Sequence, residues 1–446
     1  MKKILTTIVT ANILLPGFCQ VTFNEVKNEV ITVRPESSTG LDNIYVVYSV
    51  AGVSISYTSQ NSGAKAEWSR YSNLGGGYAE PINEIVYEGP MSTLTNVKGD
   101  MGYIIRDGSK TVCFWVVDYS RHAFHIGGIS VSDESDCQTV ALSFNGSGGD
   151  IIRYYTINGQ VKELSREIAL KYNTLEFDTD MNLYAPKETT ATFDHISATL
   201  FADSPLCNTD FTLVGDRFLQ KWNMPQEAST PTYVTPSIQA TTTATQNREE
   251  IDNEQSSGST GELGGSAPAD IIFSAVTTDA AVFTEWQMSR DMNFDIIDYR
   301  ETNLDFEYTF RDAGMTYVRF MASNASGNCD YYSPTYEVSI GESDIKCPNA
   351  FSPGSSEGVN DVWKVSYKSI VSFECYIFNR WGVKVASFNN PADGWDGKYN
   401  GKLVPAGVYY YVINAKGADG KNYKLKGDIN IINFKRRQTS SGNPAN

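Results

Sequence analysis

The stretch "GMTYVRFMASNASGNC", Gly314 to Cys329, decides the fold class. Apolar and polar residues alternate through it, so Thr316, Val318, Phe320, Ala322 and Asn324 share one face, and the Asn and Gly residues that follow make a turn. A period of two over this length is a strand with one buried side. The signature recurs in "NIYVVYSV" from Asn43, "KTVCFWVVDY" from Lys110, "TVALSFNG" from Thr139, "DIIRYYTING" from Asp150 and "GVYYYVINAK" from Gly407. Gly, Asn, Asp and Pro turns separate these runs. Short strands at close intervals predict an all-β chain of several immunoglobulin-like β-sandwich modules in tandem. One segment, "VKELSREIALKY" from Val161, fits either a helical turn or two or a strand pair.

Working outward, 446 residues suggest three or four domains, and 12 % aromatic content lets each bury a core. The expected order is a signal peptide at 1–19, β-sandwich modules at 20–133 and 134–224, a disordered linker at 225–268, a third immunoglobulin-like module at 269–345, a C-terminal β-sandwich at 346–434 and a tail at 435–446. The linker rests on composition: the segment is rich in Thr, Ser, Gly, Pro and acid and poor in large apolar residues. "AEWSRYS" from Ala66 and "TEWQMSR" from Thr284 each place a Trp after a Glu and upstream of a strong strand, the position of the buried Trp of an immunoglobulin-like sandwich.

The opening "MKKILTTIVTANILLPGFCQ" has a basic start, a short apolar run and small residues Gly17 and Cys19, which predicts a secretory signal cut before Gln20. A lipoprotein acylated at Cys19 is the rival reading. No later apolar run is long enough for a transmembrane helix. Export makes six remaining cysteines meaningful. Cys113 and Cys375 lie inside apolar strand runs and read as small buried hydrophobes. Cys137 and Cys207 stand at the two ends of one module, and a bridge closing that loop would stabilise by about 4 kcal/mol in the chain-entropy model. Cys329 with Cys347 is the second expected pair.

A formal charge of −16 argues against nucleic-acid partners, and the one dense basic run is Lys435 to Arg437. His122 and His125 in "HAFH" would share a face as zinc ligands only on a helix, and the flanking residues read as strand and turn. Asp393, Asp396, Glu357 and Asp361 could bind calcium, yet turn formation explains the same residues. "NLGGGYAEP" from Asn73 precedes no helical pattern and reads as a hairpin loop. Nucleophile elbows, P-loops, dinucleotide fingerprints and CxxC pairs are absent from the sequence. No enzyme, cofactor or metal centre is expected.

The C-terminal segment is the most specific. "CPNAFSPGSSEGVNDVWKV" carries Pro348, Asn349, Phe351, Pro353, Gly358, Asn360 and Asp361; "CYIFNRWGVKV" carries Asn379, Arg380, Trp381 and Gly382. "GWDGKYNGKLVPAGVYYYVINA" carries Trp395, Asp396, Gly397, Gly401, Pro405, Gly407 and Tyr409, and "KLKGDINII" carries Gly427. Pro348 and Pro353 forbid sheet pairing at their nitrogens, the Asp-Gly and Asn-Gly pairs supply positive φ for tight hairpins, and "VYYYVI" has the two apolar faces of a central strand.

These four motifs, in this order, resemble the gliding-motility-associated C-terminal domain, the type B sorting signal of the type IX secretion system of the Bacteroidota. The third module resembles immunoglobulin-like or PKD-like repeats of bacterial surface proteins. The first resemblance implies handling by outer-membrane translocon and shuttle proteins of that system and delivery to the cell surface, the outer membrane or the extracellular space. The chain departs from the family in having "GSSEGVND" where an Asn-Gly-Asp-Gly run is usual, and in running on into "NFKRRQTSSGNPAN". The expected function is a non-enzymatic exported binding or adhesion protein, with a surface glycan or protein as ligand. An accessory component of the secretion or gliding apparatus is the alternative, and a carbohydrate-active enzyme with an unrecognised carboxylate pair the third reading.

Overall fold

The computed structural model describes residues 21–60, 65–248, 251–255, 262–354 and 358–432, so the expected signal peptide, Cys19, Glu357, the tail and the basic run lie outside the described residues. The chain divides into two compact units, one of residues 21–174 and 186–235, the other of 175–185 and 236–432.

The first unit begins with a sandwich of β1 (Val21–Asn24), β2 (Ile31–Val33), β3 (Asn43–Val47), β4 (Ser54–Thr58), β5 (Glu67–Tyr71), β6 (Glu80–Pro81), β7 (Ile85–Glu88), β8 (Met91–Leu94), β9 (Met101–Asp107) and β10 (Lys110–Asp118). Its sheets run β1-β4-β8-β7 and β2-β3-β10-β9-β5-β6, with β3 parallel to β10 and the other pairs antiparallel. Trp68 on β5 is buried between the sheets and donates to Ser92 Oγ at 3.0 Å, as expected for an immunoglobulin-like core.

The second sandwich contains β11 (His125–Val131), β12 (Thr139–Ser147), β13 (Ile152–Tyr155), β14 (Val161–Leu164), β15 (Ile168–Asp178), β16 (Leu183–Phe193), β17 (Thr199–Asp203), β18 (Thr212–Val214), α1 (Arg217–Lys221) and β19 (Glu227–Ser229). Its sheets are β11-β12-β17, β13-β14 and β16-β15-β18-β19. "VKELSREIALKY" is therefore two strands, β14 and the start of β15, which pair with different neighbours.

The expected boundary at 133/134 divides two sandwiches that share one core. The sheet containing β10 is buried on both faces: Val112, Phe114 and Val116 fill the first sandwich, while Cys113, Trp115 and Val117 belong to a cluster reaching Leu170 and Trp222 of the second. Double burial is why "VCFWVV" shows no polar alternation.

Two further devices fasten the sandwiches. Gly76 N donates to Ile157 O at 2.7 Å, and Gly75, at φ 84°, has no room for a Cβ, which would lie 2.5 Å from Gly159 N. The glycine-rich loop is thus a backbone-to-backbone contact. Arg166 and Asp216 form a fully buried ion pair at 2.7 Å. Asp216 also accepts from Tyr119 Oη and caps α1 through Leu219 N, and Arg166 donates to the carbonyls of Asp150 and His122. Every charge in the pair is met, the condition under which buried ions persist.

The second unit holds a third sandwich of β20 (Ala240–Gln246), β21 (Leu263–Gly265), β22 (Ala269–Thr277), β23 (Phe283–Ser289), β24 (Tyr299–Glu301), β25 (Phe306–Phe310), β26 (Gly314–Ser323), β27 (Asp330–Tyr332) and β28 (Tyr336–Ile340). One sheet is β20-β22-β25; the other is β21-β28-β26-β23-β24, with β27 on β26. Trp286 on β23 is fully buried against Phe273, Phe306 and Phe320. The alternation in β26 places Thr316, Val318, Phe320 and Ala322 inward.

The segment expected as a disordered linker, 225–268, instead contributes strands to both units. β19 pairs with β18, β20 pairs with β22 along its whole length, and β21 pairs in parallel with β28. "ATTTATQ" is polar in composition, but β-branched Thr suits a pleated strand, and a composition rule misses that.

In the Gly-rich loop, Gly75→Ala adds a Cβ at positive φ against backbone and should destabilise the first unit by about 2 kcal/mol or more. Gly77→Ala, with open space around its position, should stay within about 0.5 kcal/mol. Chemical denaturation followed by tryptophan fluorescence measures both.

Candidate functional site

The C-terminal domain contains β29 (Asp344–Lys346), β30 (Ala350–Phe351), β31 (Ser366–Lys368), β32 (Ile370–Phe378), β33 (Lys384–Phe388), β34 (Lys398–Tyr399), β35 (Lys402–Leu403), β36 (Gly407–Gly417) and β37 (Asn422–Ile431). Its main sheet is β30-β37-β36-β32-β33, so "VYYYVI" lies in the middle strand. β36 pairs with β32 on one side and with β37 on the other.

The long turn-rich segments are closed by a tryptophan clasp. Trp363 and Trp395 exchange backbone hydrogen bonds at 2.9 and 3.0 Å outside any named strand. Trp363 Nε1 donates to Pro348 O at 2.7 Å, and its ring packs on Tyr411. Trp395 lies between Phe351 and Tyr409, with ring centroids 5.5 and 5.1 Å away, and donates to Lys398 O. The clasp therefore draws three distant segments into one core.

The turns are fixed one by one. Asp361 spans the opening loop, its two carboxylate oxygens accepting from Gly354 N at 2.9 Å and Gly358 N at 2.8 Å. Ser352 N donates to Asn360 O, and Asn430 N to Asn349 O. Asn379 Oδ1 accepts from Trp381 N and Val383 N, with Gly382 at φ 79°. Asp396 Oδ1 accepts from Lys398 N, and the Lys398 ammonium holds its carboxyl below the usual range. Asn400 and Gly401, both at positive φ, join β34 to β35 in a two-residue turn.

Two glycines mark close approach. A Cβ on Gly397 would meet the Pro353 ring at 2.8 Å, and one on Gly427 would meet Tyr411 Oη at 2.6 Å. Pro405 O accepts from Tyr409 Oη, and Gly407 starts β36 at φ 150°.

An upstream strap joins this domain. Residues 251–255, inside the expected linker, run beside β31: Asn253 Nδ2 donates to Val365 O and Pro391 O at 2.8 Å, Gln255 N to Tyr367 O, and Tyr367 N to Asn253 O. Nothing in the composition of "IDNEQ" foretells it. Asp419, in the β36–β37 turn, accepts from Ser343 Oγ at 2.6 Å and pairs with Lys421 at 2.8 Å. Burial pushes its carboxyl up, but Lys421 and Ser343 outweigh this and hold it well below the usual carboxylate range.

The other sequence candidates come apart. Among the described residues no group of three or more His, Cys, Asp or Glu side chains is placed to hold a metal ion. His122 faces Asp100 at 3.0 Å, whereas His125 begins β11. Asp361 spends both oxygens on backbone N–H groups, and Asp396 spends one on Lys398 N and the other on the Lys398 ammonium, which is turn chemistry.

Neither expected disulfide forms. In the first unit Cys137 is disulfide-bonded and Cys207 takes no part in that bond; Thr139 stands opposite Asp203 at the end of the β12–β17 ladder, so the two cysteines lie two and four residues beyond that pair. In the second, Cys329 is disulfide-bonded and Cys347 is a thiol in the C-terminal core beside Tyr411. Cys113 and Cys375 are buried thiols, and burial pushes them up to about 11 and about 12.

Comparison with known proteins assigns two of these domains. Residues 130–230 match a fibronectin type III domain model, and residues 345–431 match the CHU_C type IX secretion signal domain. No curated protein matches the chain. Among solved structures, a tetra-tandem repeat from the extending region of a large adhesion protein is 12 % identical, covering 86 % of this chain and 96 % of that one at a TM-score of 0.21. The FN1–FN3 domains of chicken CNTN1 are 11 % identical over 69 % of this chain and 98 % of that one, at 0.23. A calcium-stabilised adhesin with which an Antarctic bacterium reaches out and binds ice is 14 % identical over 88 % and 96 %, at 0.19.

A carboxylate with a depressed folded pKa contributes stability that is present above its unfolded pKa and lost as pH falls toward the folded value. The Asp419 contribution should therefore be complete above about pH 4 and decline in more acid solution. Asp419→Asn should flatten that part of the profile, read as thermal midpoint against pH.

Residues 345–431 thus match a type IX secretion signal domain, which implies export, at the end of a chain of tandem immunoglobulin-like sandwiches in which residues 130–230 match a fibronectin type III domain.

Proposed function

We propose that the chain is a non-enzymatic binding or adhesion protein carried across the outer membrane as a passenger of the type IX secretion system and presented at the cell surface or released. The secretion signal domain carries this reading. The preceding sandwiches support it, because loops on rigid β-frames are a common way to present a binding surface. Residues 1–19 direct the first export step as a Sec signal peptide in a bacterium of the Bacteroidota, and translocon and shuttle proteins of the outer membrane then take over. The ligand is a surface glycan or a protein.

Deleting the gene in its host separates passenger from apparatus. Other cargo should continue to reach the medium at the parental level, while attachment of cells to glycan or protein surfaces falls. A general loss of secreted cargo would instead make the chain a component of the secretion or gliding apparatus.

A further inference from the structure

The motif residues of the C-terminal domain divide by what they touch. Phe351, Trp395 and Tyr409 fill the core, Asn379, Asp361 and Asp396 fix turns, and Gly397 and Gly427 leave room for Pro353 and Tyr411. Trp381 fits none of these classes. Its side chain lies at the tip of the β32–β33 hairpin with the residue 76 % exposed, whereas the other six tryptophans of the chain are all at most 6 % exposed.

The tip is rigid. Asn379 Oδ1 takes the N–H groups of Trp381 and Val383 at 2.9 and 3.0 Å, Asn379 N donates to Val383 O, and Gly382 N donates to Asn379 O. Arg380 stacks its guanidinium 4.7 Å from the indole centroid. A large ring on a pinned turn loses little freedom on binding, and Trp and Arg are the residue types that anchor protein interfaces.

The charge of the domain as a whole bears on the partner. Residues 345–431 hold eleven Lys and Arg against seven Asp and Glu, in a chain whose formal charge is −16. Lys384 stands 5.5 Å from the Tyr376 ring, and the register puts Tyr376, Val412 and Lys426 in one row across the sheet. Tyr410 and Val412 are exposed on that sheet face. Opposite charges steer and orient association. One projecting indole backed by one guanidinium suits a pocket, whereas a membrane surface is held by a broad apolar face.

We propose that Trp381, backed by Arg380, is the anchor by which a protein receptor of the export machinery grips this domain, through an apolar pocket rimmed by Asp and Glu. The proposal rests on the export reading above.

The test uses the full-length chain expressed in its host with Trp381→Ala, Arg380→Glu or Trp381→Phe, alongside a chain ending at residue 344. The readouts are the fraction shaved from intact cells by protease, the fraction retained in the periplasm, and the thermal midpoint of the purified protein. Trp381→Ala and Arg380→Glu should leave the midpoint unchanged and lower the surface fraction by about tenfold, the loss that removing an interface anchor produces. Trp381→Phe should keep most of the export. Wild-type surface display of both variants, with the truncated chain retained, overturns the anchor and leaves the export reading intact. Display of the truncated chain overturns the export reading itself. Flotation of the purified full-length protein with phosphatidylglycerol vesicles, abolished by Trp381→Ala, would replace the protein receptor by a membrane and overturn the proposal.

Discussion

The backbone pairing of Trp363 with Trp395 is the constraint on which the C-terminal domain depends. These residues lie outside the main sheet, in segments that the sequence fills with Pro, Gly, Asn and Asp. Such segments have no ladder of their own, so burying two indoles against Phe351, Tyr409 and Tyr411 supplies the apolar free energy that orders them. The signal is consequently a shaped surface. Its loops are fixed by carboxylate and amide caps, and its most exposed ring, Trp381, is held outward by a hydrogen-bonded turn.

The first unit applies the same physics to a different end. A sheet buried on both faces joins two sandwiches into one core, and the Gly75–Gly76 contact with the 156–160 turn lets backbone meet backbone. The Arg166–Asp216 pair is costly to bury, and four neutral partners offset that cost. Relative motion of these two sandwiches would have to break a continuous core.

Much of this was legible in the sequence because period-two patterns and turn residues report local geometry directly. β26, β36, the buried Trp68 and Trp286, and the Asn400–Gly401 turn are of this kind. What depends on partners distant in sequence was not. Thr-rich β20 looks like linker until β22 covers it, the 251–255 strap has no pattern of its own, and α1 is one short turn capped by Asp216. Cysteine position suggested two pairings, and Cys207 and Cys347 take part in neither. Trp381 sits in "NRWG" with no local mark of exposure; only the hairpin shows that its ring has no core to enter.

The most direct measurement is surface protease shaving of host cells making the full chain with Trp395→Ala. Removing this buried ring should cost about 3 to 5 kcal/mol and unfold the C-terminal domain. If the folded surface is the export signal, the substituted chain stays in the periplasm while the unsubstituted chain is shaved. Equal shaving of the two, with circular dichroism showing the C-terminal domain unfolded in the variant, would mean that a linear segment is read instead and would contradict a folded signal.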